Sequence, residues 1–208
     1  MQQTAFNQQQ DVEILSRETV YKSFTQIDVV KLKHRLFARG MSPVIQRELV
    51  IKPEATGVLI YDPNLDAVLL IEQFRVGALS HSNPWQLEIV AGLVDGHGES
   101  LEDVAKREVL EEAGVELLRL EKVMTFLLSP GGSNERFTLF VGYADLSQVK
   151  TGNLHGLPEV GEDIRVNVLA ADKALGLLKD EILFNAPLLI ALQWLGLNKK
   201  DLQTRWQN

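Results

Sequence analysis

The stretch Gly92–Val115, GLVDGHGESLEDVAKREVLEEAGV, constrains this chain more than any other. It opens as a glycine-rich loop, closes on Gly114 and contains no proline. Ser100 can cap a helix start, and Glu102 and Asp103 then fall in the first turn, where negative charge suits the helix dipole. Gly114 stands where a C-terminal glycine is expected. At about 100° per residue from Leu101, Val104 falls near about −60°, Ala105 near about 40° and Val109 near about 80°. Glu108 falls near about −20° and Glu112 near about 20°, both inside that apolar sector, while Asp103, Lys106 and Arg107 point elsewhere. Two like charges about 6 Å apart repel by roughly 3 kcal/mol at an effective dielectric of about 20. Desolvation adds several kcal/mol per ion. The face is either a solvated acidic surface paired with Arg107 or a pair of carboxylates with a cation between them. The inward angles and flanking glycines favour the cation.

The 208 residues allow one large domain, or one domain with a smaller companion, and 45% hydrophobic residues suffice for a core. Lys and Arg number 21 against 28 Asp and Glu, a net charge of −7. That balance argues against a nucleic-acid backbone as partner, which calls for a basic face. It leaves room for a small phosphorylated substrate held by a metal and a few arginines. With no cysteine there are no disulfides, thiolate metal sites or cysteine nucleophile. The N-terminus is polar and glutamine-rich, and no run reaches membrane-span length, so a cytoplasmic location without membrane attachment is expected.

Residues 1–10 read as disordered. Val12 to Val50 gives three strand-like runs, with a turn at 38–42. Such a three-stranded sheet buries little by itself and calls for a partner. Lys52-Pro53 marks a boundary, giving an N-terminal β domain (1–52) and a second domain (53–208). ATGVLIYD and AVLLIEQFRVG flank Pro63–Asp66 as a hairpin, and 84–91 reads as one strand feeding the glycine loop. Two more strands flank 130–135, a loose loop covers 147–161, and 163–168 is a further strand. Helices close the chain at 171–181 and 186–206, the latter broken near Gly196. Trp85 and Trp194 read as core. Mixed strands with helices at fixed points suggest an α/β sandwich. No GxGxxG or GxxxxGK[ST] follows a strand, which excludes the Rossmann and P-loop readings.

From Glu99 the chain matches the Nudix signature without exception through Arg107-Glu108-Val109-Leu110-Glu111-Glu112-Ala113-Gly114-Val115. It departs at the front, where six residues, not five, separate Gly92 from Glu99. The extra residue is expected to be absorbed at Gly96 or Gly98. With HRLF (34–37), LIEQFR (70–75), LSPGGSNER (128–136), HGL (155–157) and EDIRV (162–166), the chain resembles the bacterial ADP-ribose pyrophosphatases of the Nudix superfamily. The resemblance implies a Nudix-type α/β/α sandwich of mixed sheets behind a small antiparallel N-terminal sheet that is packed or exchanged across a homodimer. It implies Mg²⁺-dependent hydrolysis of ADP-ribose to AMP and ribose 5-phosphate, with two or three ions, for which Mn²⁺ can substitute.

By the same resemblance, Glu108, Glu112, Glu162 and the carbonyl of Ala91 hold metal. Glu162 or Glu159 acts as general base, and Glu111 assists. Arg107 pairs with Glu99. The position two before Glu162, where relatives place a base, is Val160 here. Substrate contacts fall to Arg75, Leu93, Arg47, Glu48 and Lys52, to Phe24 stacking on adenine from the partner subunit, and to Ser129, Gly131 and Glu135 around the terminal ribose. His155 is a further titratable group nearby. Two alternatives remain: a Nudix enzyme for another nucleoside diphosphate sugar, such as GDP-mannose, and a non-catalytic nucleotide-binding regulator. The intact Glu108, Glu111 and Glu112 count against the regulator.

Overall fold

The computed structural model describes residues 6–94, 98–157, 159, 161–180 and 184–207. The chain divides into two compact units, one comprising Met1–Pro53 with Leu127–Glu135, the other Glu54–Phe126 with Arg136–Asn208.

The first unit holds α1 (Gln8–Asp11), β1 (Val12–Lys22), β2 (Gln26–His34) and β3 (Ile45–Ile51). The strands form one antiparallel sheet in the order β1-β2-β3. Residues 8–10, expected to be disordered, are helical instead. Asn7 caps the turn by accepting the Gln10 N–H at 3.0 Å, and Phe6 stacks on Phe37. Within the sheet the buried Asp28 carboxylate is held by Arg17, Thr19 and Gln26. Ile14, Leu15, Val20 and Tyr21 of β1 stay exposed. The segment 127–135 adds to this unit by hydrogen bonds. Val50 N–H donates to the Gly132 carbonyl, Asn134 N–H to the Val50 carbonyl, and Lys52 N–H to Asn134 Oδ1.

The second unit holds β4 (Ala55–Asp62), β5 (Ala67–Phe74), β6 (Trp85–Glu88), β7 (Val90–Leu93), α2 (Leu101–Ala113), β8 (Arg119–Leu127), β9 (Arg136–Tyr143), β10 (Leu154–His155), β11 (Ile164–Ala170), α3 (Ala171–Gly176) and α4 (Ala186–Trp206). The mixed sheet runs β10-β11-β5-β4-β9-β8, with β6 on β5 and β7 on β4. β4 and β9 pair in parallel, whereas β10–β11, β11–β5, β4–β5, β4–β7 and β5–β6 pair antiparallel. Every residue of β4 is buried, as a strand covered on both faces requires. Val58 and Ile60 face the core cluster with Ala105, Val109 and Ala113 of α2. By alternation, Leu59 and Tyr61 face the other way, where Leu188, Leu192 and Leu195 of α4 are fully buried. The unit is thus an α/β/α sandwich.

The 63–66 turn forms as expected, with Asp62 Oδ1 accepting the N–H groups of Asn64 and Leu65 and Asp66 at φ 48°. Three details depart from expectation. The 84–91 run is two strands, because β6 pairs with β5 while β7 moves over to β4. Helix α4 runs unbroken through Gly196, since a single glycine inside a long packed helix costs only about 1 kcal/mol. Trp85 is 54% exposed rather than core, since it opens the short β6 and packs only edge-to-face on Phe74. Trp194 is half-buried. Among the described residues no helix is long and apolar enough to cross a membrane.

Candidate active site

Helix α2 is built as its sequence dictates. Ser100 Oγ accepts the Asp103 N–H, and Gly114 ends the helix at φ 66° with its N–H on the Leu110 carbonyl. Arg107 sits at the centre of an acidic ring, 3.5 Å from Glu99, 2.9 Å from Glu108 and 3.2 Å from Glu111. The three helix carboxylates then diverge. Glu111 faces solvent, Glu108 is half-buried, and Glu112 is only 5% exposed.

Burial sets the chemistry of this face. Desolvation pushes the Glu112 carboxyl up to about 8, an effect opposed by the Ala91 N–H that it accepts at 3.1 Å and reinforced by Glu108 and Glu162. Desolvation also raises Glu108, against the pull of Arg107. Gly92 lies directly over Glu108: a Cβ there would overlap that carboxylate. Ala91 and Gly92 are held in β7 by pairing with Gly57 and Thr56. Glu162 is half-buried, and its carboxylate accepts the Leu157 N–H at 3.2 Å. Glu159 is exposed, while Val160 and Gly96 lie outside the described residues. Gly98, the other glycine of the lengthened loop, has φ 81°.

Arg75 supplies the positive charge. Its Nε and Nη2 grip the buried Glu88 carboxylate, with Nη2 at 2.7 Å, and Gln73 Nε2 donates to the same carboxylate. Among the described residues Nη1 has no hydrogen-bond acceptor of its own. The Arg75 charge also reaches Glu112 and Glu162. Glu88 and Gln73 were missed from the sequence; the signal was an acid inside the otherwise apolar strand run before the glycine loop. His155, the further titratable group noted in the sequence, packs its ring against Gly114.

The residues expected to contact substrate divide between the two units. Arg75 and Leu93, the latter exposed at the end of β7, belong to the second. Phe24, Arg47, Glu48, Lys52, Ser129, Gly131 and Glu135 all belong to the first. There Phe24 is 85% exposed with Lys52 Nζ 5.7 Å from its ring centre. Arg47 and Glu48 are exposed on β3, Ser129 anchors the turn that returns Gly132 and Ser133 to its carbonyl, and a Cβ at Gly131 would meet open space.

The donor set on α2 suits a hard divalent cation: carboxylate oxygens, one of them buried and, among the described residues, without an ion pair, in a cradle that a Cβ at Gly92 would fill. Among the described residues no three acidic or imidazole groups already converge on one point, so further oxygens must complete any such site. A buried pair of this kind beside an arginine is equipped for anhydride phosphate chemistry.

Known proteins agree with this chemistry. A family model described as NUDIX domain matches residues 51–189. The chain is 44% identical over 203 residues to the ADP-ribose pyrophosphatase of Haemophilus influenzae, covering 96% of this chain and 92% of that protein. It is 32% identical over 155 residues to the GDP-mannose pyrophosphatase of Cronobacter sakazakii, covering 73% and 78%. The crystal structure of an ADP compounds hydrolase superposes with a TM-score of 0.68 at 22% identity, over 96% of this chain and 98% of that one, and speaks for the fold alone. Signature helix, sandwich and relatives converge: the chain belongs to the Nudix family of hydrolases.

Proposed function

We propose that this protein hydrolyses the diphosphate of ADP-ribose to AMP and ribose 5-phosphate, using Mg²⁺. The observation that carries the reaction type is the inward pair Glu108 and Glu112 on α2, with the Glu88-held Arg75 charge acting on Glu112. The substrate follows the relatives, since identity to the ADP-ribose pyrophosphatase exceeds that to the GDP-mannose pyrophosphatase and spans more of the chain.

Bound Mg²⁺, in two or three ions and replaceable by Mn²⁺, would neutralise diphosphate charge and make an attacking water more acidic. Glu108, Glu112, Glu162 and the Ala91 carbonyl would hold these ions. Arg75 offers its Nη1 to a phosphate oxygen, and Glu88 keeps the guanidinium aimed. A carboxylate on the late loop, Glu162 or Glu159, takes the proton from the water, and Glu111 assists. One P–O bond of the anhydride breaks, and water contributes OH to one phosphate and a proton to the other. Phe24 stacks on the adenine, with Arg47, Glu48, Lys52 and Leu93 around the nucleotide and Ser129, Gly131 and Glu135 around the terminal ribose.

The exposed apolar side chains of β1 support a homodimer in which the partner covers the N-terminal sheet and Phe24 serves the partner's site. A cysteine-free chain suits a reducing, cytoplasmic location. Side-by-side turnover of ADP-ribose and GDP-mannose tests the substrate. A kcat/KM that favours GDP-mannose would replace the proposed substrate with that nucleotide sugar, and hydrolysis of neither would overturn the reading.

A further inference from the structure

The glycine that ends α2 serves more than the helix cap. Its φ of 66° accounts for a glycine, but a second constraint acts on the same atom position. A Cβ at Gly114 would lie 2.5 Å from Cε1 of His155, 3.2 Å from Nε2 and 3.3 Å from Nδ1. The imidazole therefore fills the hollow that the missing side chain leaves. Close-packed interiors transmit displacement at such points, because neither neighbour can yield without opening a void.

His155 is the last residue of β10, registered against Ile164 of β11. The next residue, Gly156, turns the chain at φ 97°, and a Cβ there would stand 2.8 Å from the Glu162 carbonyl oxygen and 3.0 Å from Glu162 Cγ. The loop beyond closes on the same residue. Glu162 N–H donates to the Leu157 carbonyl at 3.1 Å, and Leu157 N–H donates to the Glu162 carboxylate at 3.2 Å. An unbroken series of contacts thus runs from the C-terminal end of α2, one turn from Glu111 and Glu112, through the His155 ring and Gly156 to the Glu162 carboxylate.

We propose that His155 is a positioning residue for the hydrolysis: its ring, seated on Gly114, fixes Glu162 relative to Glu108 and Glu112. The proposal rests on the Nudix-hydrolase reading given above and gives the HGL segment a role that the site chemistry leaves unassigned. Its physical basis is that displacing a reacting group by about 1 Å costs on the order of 100-fold in rate. A ring that only filled space at the helix end would change stability and leave turnover alone.

The test is a double-mutant cycle on the full chain: wild type, His155→Ala, Gly114→Ala and the double variant. Steady-state kinetics are measured with ADP-ribose and Mg²⁺, Mn²⁺ affinity by calorimetry, and exchange of the Leu157 amide hydrogen by NMR. In His155→Ala, kcat falls by roughly 10- to 100-fold with KM within about twofold. The Leu157 amide exchanges faster, because its carboxylate acceptor is no longer held. Gly114→Ala, which evicts the ring, lowers kcat likewise. Adding His155→Ala to it produces no further loss, since both changes break one contact. Multiplicative losses in the double variant, or wild-type kcat in His155→Ala, would overturn the proposal. If His155→Ala does not fold, His155→Gln replaces it in the cycle with the same expectation. If the wild type fails to hydrolyse ADP-ribose, the functional reading is what fails. The amide exchange then decides the clamp alone, and unchanged exchange in the variant defeats it.

Discussion

The two sheets of this molecule solve the burial problem differently. In the second unit β4 is buried along its whole length, with α2 against one face and apolar α4 residues buried beyond the other. In the first unit β1 leaves ten of its eleven residues exposed, Ile14, Leu15, Val20 and Tyr21 among them. A sheet flanked by helices is stable in itself and can hold a charged site. A sheet of three strands without a covering layer does not bury enough apolar surface to stand alone. The difference teaches where each task falls. The covered sheet carries the charged face of α2, and the bare sheet leaves apolar side chains exposed, the surface on which the proposed second copy would pack.

The largest effect that would sharpen this division is catalytic. Glu112→Gln should lower kcat/KM for ADP-ribose by roughly 1,000-fold, about 4 kcal/mol of transition-state stabilisation. Excess chelator should abolish turnover of the wild type. Full activity in either case would show that the buried face of α2 is not a metal site.

Next comes stability, measured by denaturant unfolding. Leu59→Ala, at a fully buried β4 position, should cost about 3 kcal/mol. Ile14→Ala, on exposed β1, should cost under about 0.5 kcal/mol in the monomer. Equal costs would erase the contrast between the sheets.

A pH series in chelator probes the buried carboxylate without metal. The folded chain keeps the Glu112 proton up to about 8, whereas the unfolded chain releases it near 4.5. Its contribution is therefore fully present below about 4.5 and lost as pH rises through about 8. The melting temperature should fall by roughly 10 °C between about pH 5 and about pH 9. Glu112→Gln should flatten that slope, and a slope unchanged in the variant would assign it to another group.

The smallest effect per residue lies on β1. Val20→Glu with Tyr21→Glu should leave monomer stability nearly unchanged and shift sedimentation from dimer to monomer. A dimer that survives both charges would remove β1 from the interface.

Much of the site was legible because helix periodicity is local. The angles alone put Glu108 and Glu112 inward, and the structure finds Glu112 buried with Glu111 facing out. The capping serine and the C-terminal glycine were legible for the same reason, while the Arg107–Glu99 pair came from the family resemblance. What escaped was set by strand pairing. Glu88 reads as one acid in an apolar strand, and only the β5–β6 register, Ile71 opposite Glu88, brings it under Arg75. Trp85 reads as core because tryptophan usually is, yet its place at the start of a four-residue strand leaves it out.

The sequence by itself determined the α/β class, the signature helix and the carboxylates it turns inward, since those follow from turn chemistry and the 3.6-residue period. Tertiary structure alone decided the rest. It raised the proton affinity of Glu112, grouped segment 127–135 with the N-terminal strands, clamped Arg75 on Glu88 and seated His155 on Gly114. Each of these depends on residues far apart in the chain meeting in space, and no local pattern encodes such a meeting.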